Sequence, residues 1–240
     1  MSGAKIFGCT DVPIGRQWIP IKVNSAGELG IIMPRTSLHE DWQDFAIDPV
    51  IWTVANPATG AAWGVDAVYV PHLMARTSPN ANETARMRSN EVWVCGSGYY
   101  GNNTLLSKFS LAFEMRLNNV NHLDNGLTFF GLSSGGMATR ATNTIICFAL
   151  LADALQTVTD NAGVETVNTG FGETLTNHNL FQIEVIAGAV NFYLNRNLIA
   201  THITNIPNIP MFINFFADTN ALGAATIGIG QVLAWTEGAV

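Results

Sequence analysis

The stretch Phe181 to Ile203, FQIEVIAGAVNFYLNRNLIATHI, constrains the fold of this chain more than any other. Gln182, Glu184 and Ile186 alternate with Ile183, Val185 and Ala187, which gives an extended segment one polar and one apolar face. Ala187-Gly188 then forms a two-residue turn in which glycine supplies a positive φ. On the return, Val190, Phe192 and Leu194 alternate with Asn191, Tyr193 and Asn195. Asn195-Arg196-Asn197 turns the chain again, because Asn tolerates the left-handed region, and Leu198 to Ile203 comes back. The pattern predicts three consecutive antiparallel strands.

The flanking sequence continues in the same style. Lys108 to Leu117 alternates, with Phe109, Leu111, Phe113 and Met115 on one face, and Leu127 to Leu132 is a further strand. Asn143 to Leu151 is almost continuously apolar, as expected of a strand covered on both sides. Thr157 to Val167 reads as a hairpin around Asp160-Asn161-Ala162-Gly163, and Pro210 to Ala217 and Ala225 to Trp235 close the domain. Trp42 to Tyr69 holds aromatic strand fragments broken by Asn56-Pro57 and Gly60. Thr77 to Asn90 is expected to be a polar loop carrying Arg86 and Arg88, and Glu91 to Cys95 a short strand. Ala149 to Leu155 is the one helix candidate. Short strands at regular spacing, separated by Gly and Asn turns, predict an all-β sandwich.

Two units are expected: an N-terminal arm over residues 1–40 and the β-domain over 41–240. In the arm, Gln17 to Val23 is a strand that Pro20 confines to an edge, and Leu29 to Met33 returns as a hairpin. The arm packs either on its own domain or on a neighbour, and Trp18, Ile19 and Ile21 are the candidate attachment residues.

Composition excludes several partners. The 240 residues carry a net charge of −7 without a basic cluster, so the phosphate backbone of a nucleic acid is not an expected ligand. Ile145 to Leu151 is too short to span a bilayer, and the N-terminus lacks the succession of a signal peptide, so no membrane is expected. Cys9, Cys95 and Cys147 are isolated, which implies neither a disulfide framework nor a CxxC metal site and fits a protein made in a reducing cytosol. Charged residues are only 12 %, about half the usual share. Asn, Thr, Ser and Gly must therefore carry the polar surface; such surfaces suit permanent contact with neighbours or sugars, and β-rich domains also simply contain them.

Catalytic patterns are weak. Gly131-Leu132-Ser133-Ser134-Gly135 fits the GxSxG nucleophile elbow, but Gly135-Gly136 and a Thr-rich segment follow where the elbow needs a helix, so a β-turn is expected. Glu114 and Glu184 each stand alone on their strands, without the second carboxylate that glycoside hydrolysis requires. His39-Glu40-Asp41 places three ligand types together on an extended chain, where neighbours point in opposite directions. His72, His122, His178 and His202 are scattered. Neither a metal nor a cofactor is expected. Trp93, Tyr99 and Tyr100 beside Asn102 and Asn103 read either as a sugar platform or as an aromatic core edge with a turn.

The strand FQIEV, the hairpin AGAVNFYLNRNLIATH, the Asn205-Ile206-Pro207 turn, the strand MFINFFA and the closing IGIGQVLAW resemble the concanavalin A-like, or laminin-G-like, jelly-roll sandwich. FSLAFEMRL and LTFFGLSSG are similar to its paired inner strands, so the resemblance covers roughly Asn90 to Trp235. Preceded by an arm such as QWIPIKVNSAGELGI, the domain looks like virion proteins of tailed bacteriophages. That resemblance implies a non-enzymatic virion protein, a capsid decoration or head-fibre component that oligomerises and binds capsid or tail subunits. Its alternative is a lectin-like tail or fibre module that binds a host glycan through Trp93, Tyr99, Tyr100 and Asn102. The catalytic glutamates and the acidic metal loop of the family's enzymes and legume-type lectins find no match here.

Overall fold

The computed structural model describes residues 7–11, 16–23, 29–31, 37–42, 46–55, 62–66, 72–76, 84–94, 99–100, 104–118, 128–135, 144–151, 154–172, 174–186, 188–218 and 225–238. Strands β1 (Phe7–Asp11), β2 (Arg16–Val23) and β3 (Leu29–Ile31) form a small antiparallel sheet in the order β1-β2-β3. The expected edge strand is thus the middle one. Pro20 is tolerated because β3 reaches only Ile21 to Val23, so the proline lies where β1 alone pairs with β2. Trp18, Ile19 and Ile21 sit on this strand.

The remaining strands are β4 (Ser37–Glu40), β5 (Trp52–Ala55), β6 (Ala62–Asp66), β7 (His72–Arg76), β8 (Thr84–Val94), β9 (Tyr99–Tyr100), β10 (Thr104–Asn118), β11 (Phe129–Ser133), β12 (Ile145–Leu151), β13 (Ala154–Asn161), β14 (Val164–Thr169), β15 (Asn179–Ile186), β16 (Ala189–Leu194), β17 (Asn197–His202), β18 (Pro210–Asp218) and β19 (Thr226–Gly238). They make two antiparallel sheets. A nine-stranded sheet runs β17-β16-β15-β10-β19-β7-β6, with β4 on β19 and β9 on β10; a seven-stranded sheet runs β14-β13-β12-β11-β18-β8-β5. No helix occurs among the described residues.

The three-strand pattern of the sequence is β15, β16 and β17, with the second turn shortened to Asn195-Arg196 and a bulge between Phe192 and Tyr193. Asn195 and Arg196 both adopt positive φ (51° and 69°), as a tight hairpin turn that matches strand twist requires. Ala162 and Gly163 do the same between β13 and β14, where Asp160 accepts the Gly163 N–H at 2.7 Å. That tip is a hairpin, as expected, and the described residues hold no cluster of metal-ligating groups.

Two expectations fail. The helix candidate over 149–155 is instead the junction of β12 and β13, which pair from Leu151↔Ala154 to Ile145↔Asp160. Ile146, Phe148 and Leu150 face the core while Ile145, Cys147 and Ala149 enter a second apolar cluster, so the unbroken apolar run reflects burial on both faces and not a helical stripe. The loop expected over Thr77 to Asn90 is, from Thr84 onward, strand β8. Ala85, Met87 and Ser89 point inward. Arg86 and Arg88 alternate outward and lay their guanidinium groups over Phe216 (5.0 Å) and Phe212 (4.5 Å) of β18, so charge that suggested a loop covers aromatic surface.

The core fills the space between the sheets. Phe113 of β10 stacks on Phe181 of β15 at 5.4 Å and meets Phe148 and Phe215 of the opposite sheet edge-on at 6.2 and 5.3 Å. Polar ties also cross it. His202 of β17 is buried, with Nε2 3.0 Å from Thr157 Oγ1 and Nδ1 2.9 Å from Thr159 Oγ1, both on β13. Because Thr159 also donates to the Thr204 carbonyl, its oxygen accepts from Nδ1–H, which leaves Nε2 to accept from Thr157. Burial pushes the His202 pKa down, so the ring is held neutral.

Of the His39-Glu40-Asp41 triplet, Glu40 likewise serves the fold. Glu40 is buried, accepting the Trp42 N–H at 3.1 Å and the Trp52 indole N–H at 3.2 Å. Trp42 in turn donates its indole N–H to the Gly230 carbonyl of β19. One carboxylate thus joins β4 of the nine-stranded sheet to β5 of the seven-stranded sheet.

Candidate functional site

The outer faces of the two sheets differ in chemistry. On the seven-stranded sheet, Phe129, Ile145, Cys147, Ala149, Val158 and Phe216 form a closed apolar layer in which every side chain is fully buried. Ser133 of the GxSxG match lies there too. It is fully buried, accepts from Asn214 Nδ2 at 3.0 Å and donates to the Gly135 carbonyl at 3.1 Å. The serine is a structural hydroxyl, as the missing helix implied.

The nine-stranded sheet presents a polar face. Along β10 the inward Phe109, Leu111, Phe113, Met115 and Leu117 leave Lys108, Ser110, Ala112, Glu114 and Arg116 outward. On β15 the outward set is Leu180, Gln182, Glu184 and Ile186; on β16 it includes Asn191 and Tyr193. Strand β19 changes phase midway: Ile227 and Ile229 point inward, then Val232 and Ala234. Phe113 pairs with Val232 and Met115 with Ile229, so Glu114 faces both Gly230 and Gln231. That β-bulge turns two consecutive residues outward.

A cleft of about 280 Å³ opens at this bulge, lined by Ala112, Phe113, Glu114, His178, Leu180, Asn195, Gln231 and Leu233. Glycine makes room for it. A β-carbon at Gly230 would lie 3.0 Å from Glu114 Oε2, and one at Gly228 would lie 3.2 Å from Arg116 Cγ and Nε, so both side chains lie flat over the β19 backbone. Glu114 Oε1 stands 3.4 Å from His178 Nδ1, with both side chains about two-fifths exposed. Across the cleft the Gln231 amide contacts the exposed His39 imidazole at 2.6 Å. A carboxylate and an imidazole in reach of one another and of solvent can exchange a proton and bind a hydroxyl.

On the same face Glu184 collects three donors: Lys108 Nζ at 2.8 Å, Tyr193 Oη at 3.0 Å and Gln182 Nε2 at 3.1 Å. Burial, then the hydrogen bond and charge of Glu184, raise the Tyr193 pKa, so the phenol stays protonated and donating.

Of the residues singled out in the sequence, Trp93 is a core residue, packed 5.3 Å from Phe109 and offering no face to solvent. As a stacking platform it is corrected: inward alternation on β8 buries it. Tyr99 and Tyr100 pair with Leu105 and Thr104 as β9 on β10, while Asn102 lies outside the described residues. The sequence does not announce the pairing of Glu114 with His178. His178 stands one residue before Asn179, the partner of Met115, and no local pattern sets that register.

No family model matches this chain, and no curated protein matches it. Solved structures do. A β-glucanase from Bacillus licheniformis superposes with a TM-score of 0.56 at 14 % identity, covering 82 % of this chain and 97 % of its own. A family 7 alginate lyase in complex with substrate gives 0.57 at 9 % identity, covering 80 % and 95 %. A structure described under endo-acting O-glycanases of gut microbiota that initiate mucin breakdown gives 0.54 at 13 % identity, covering 82 % and 98 %. The fold is a concanavalin A-like jelly roll.

These likenesses correct two expectations. The three solved structures named above are by name carbohydrate-active enzymes, which overturns both the expectation of a non-enzymatic protein and the capsid decoration role. The virion context rests on the residues of hairpins and arm, and hairpin chemistry specifies a sandwich without specifying what it binds.

Proposed function

We propose that this chain binds a polysaccharide on the outer face of its nine-stranded sheet, with Glu114 and His178 at the point of contact. The observation that carries this reading is the composition of the cleft: one carboxylate, one imidazole and the amides of Asn195 and Gln231 above an apolar floor of Ala112, Leu180 and Leu233. Sugars match such a surface, with hydroxyls for the polar groups and C–H faces for the floor. The carbohydrate-active names of the structural neighbours support it.

Calorimetric titration with gluco-oligosaccharides, and with alginate oligosaccharides, tests the proposal. Saturable binding that weakens about tenfold in His178→Ala or Gln231→Ala, at unchanged melting temperature, is expected from the loss of one good hydrogen bond. Binding that both variants retain in full would refute the site.

The 3.4 Å Glu114–His178 contact favours a second reading, in which the bound chain is also cleaved. Release of reducing or unsaturated ends, abolished in Glu114→Gln while binding persists, is the outcome that supports it. Binding without any release of ends leaves the binding function alone.

A further inference from the structure

Beyond the cleft, the same face holds a second polar assembly. Register places it in rows across the strands. Arg116 and Gly228 share a row with His178 beside them; Glu114, Leu180 and the bulge make the next; then come Leu233, Ala112, Gln182 and Tyr193; then Trp235, Ser110, Glu184 and Asn191; and last Lys108 and Ile186. Rows two residues apart lie about 7 Å from one another, so Glu184 stands roughly 14 Å along the strands from Glu114. A short ligand in the cleft does not reach that far. A chain of linked sugars does.

In these rows the central strand β10 carries only small side chains, which its neighbours cover. Ser110 and Ala112 are small and buried, flanked by Leu233 and Trp235 on β19 and by Gln182 and Glu184 on β15. The Ser110 hydroxyl is fully buried on this side and has no hydrogen-bond partner among the described residues. Above it, Glu184 holds the Lys108 ammonium, the Tyr193 hydroxyl and the Gln182 amide in fixed positions. The side chains of Tyr193 and Trp235, both half-buried, stand on either flank as aromatic surface.

We infer that Gln182, Glu184 and Tyr193, above the buried Ser110, form a second subsite, and that the ligand of this face is an uncharged oligosaccharide running along the strands from the Glu114–His178 cleft. This rests on the polysaccharide reading of the cleft. Charge decides the class of sugar. Lys108 is compensated by Glu184 at 2.8 Å, Glu114 is itself an acid, and the whole chain carries a net charge of −7. Arg116 lies at the opposite end of the rows, on the far side of Glu114. A polyuronate would meet repulsion, with no uncompensated cation among the described residues of the second subsite to receive its carboxylates, whereas hydroxyls find donors and acceptors fixed in place.

Affinity as a function of ligand length tests the inference. Neutral gluco-oligosaccharides from the disaccharide to the hexasaccharide, and alginate oligosaccharides of matching lengths, are titrated into the whole chain and into Gln182→Ala, Tyr193→Phe and Gln231→Ala. The expected result is a gain of about tenfold or more from short to long neutral ligands, lost in Gln182→Ala and Tyr193→Phe, while the disaccharide binds these two variants as it binds the parent. Gln231→Ala should weaken every length equally, which reports on the cleft separately. A length gain that survives both subsite variants, or alginate that binds as tightly as the neutral series, overturns the second subsite and leaves the cleft standing. Absence of binding at every length overturns both.

Discussion

Glu114 lies directly over the backbone of Gly230: a β-carbon at position 230 would stand 3.0 Å from its Oε2 and 3.3 Å from its Cβ. The neighbouring strand therefore carries no side chain where the carboxylate rests, and the cleft owes its shape to that omission as much as to the residues that line it.

Gly230→Ala should lift Glu114 off the sheet and break its contact with His178, which is 3.4 Å away. Most of the clash falls on a side chain that can rotate, so the expected loss of stability is about 1 kcal/mol or less, while glycan affinity falls severalfold. Thermal unfolding and titration on one sample separate the two effects. An unchanged affinity would mean that Glu114 does not contact the ligand.

Gly131→Ala is the opposite case. Gly131 has φ +151°, and a β-carbon there would sit 2.5 Å from the Ile146 carbonyl oxygen and 2.8 Å from the Cys147 Cα. Backbone of the paired strand cannot rotate aside, and β11 lies between β12 and β18. A destabilisation of about 2–4 kcal/mol, or failure to fold, is expected in denaturant unfolding. Ser133→Ala, two residues on, removes the acceptor of Asn214 Nδ2 and the donor to the Gly135 carbonyl, costs about 1–3 kcal/mol and leaves sugar binding and any cleavage intact.

His202 makes stability fall with acid. Its folded pKa is lowered from 6.5 by burial, so as pH drops below about 6.5 the unfolded chain takes up this proton before the folded one. The contribution is fully present above 6.5 and is lost between 6.5 and the lowered folded value, with a slope of up to about 1.4 kcal/mol per pH unit. Urea midpoints measured from about pH 8 to about pH 5 should show this decline, and His202→Gln should flatten it. A variant whose decline matches the parent would assign the acid sensitivity to other groups.

Glu40→Ala deprives the Trp42 N–H and the Trp52 indole N–H of their acceptor inside the core. A loss of about 2–5 kcal/mol is expected, together with a changed tryptophan fluorescence, since the two rings lie 5.8 Å apart. Glu40→Gln keeps an acceptor oxygen and should recover part of that loss.

Alternation and turn chemistry are enough to specify the architecture. Strands β15 to β17 are legible in the sequence because a half-buried strand must repeat every two residues, and because positive φ at Asn195 and Gly188 leaves few residue choices. The buried run of β12 is legible as a strand as well. Strand β8 is legible only from Glu91 onward, because over Thr84 to Asn90 the local cue is charge, and the aromatic rings that Arg86 and Arg88 cover come from β18, more than a hundred residues away. The phase change of β19 at Gly230-Gln231 is written in its apolar spacing, but that spacing does not say which strand lies alongside. The site belongs wholly to the assembled sheets. Glu114, His178 and Gln231 come from different segments and meet only through the pairing of β15, β10 and β19, and pairing partners follow from the packing of two whole sheets, which no local pattern encodes.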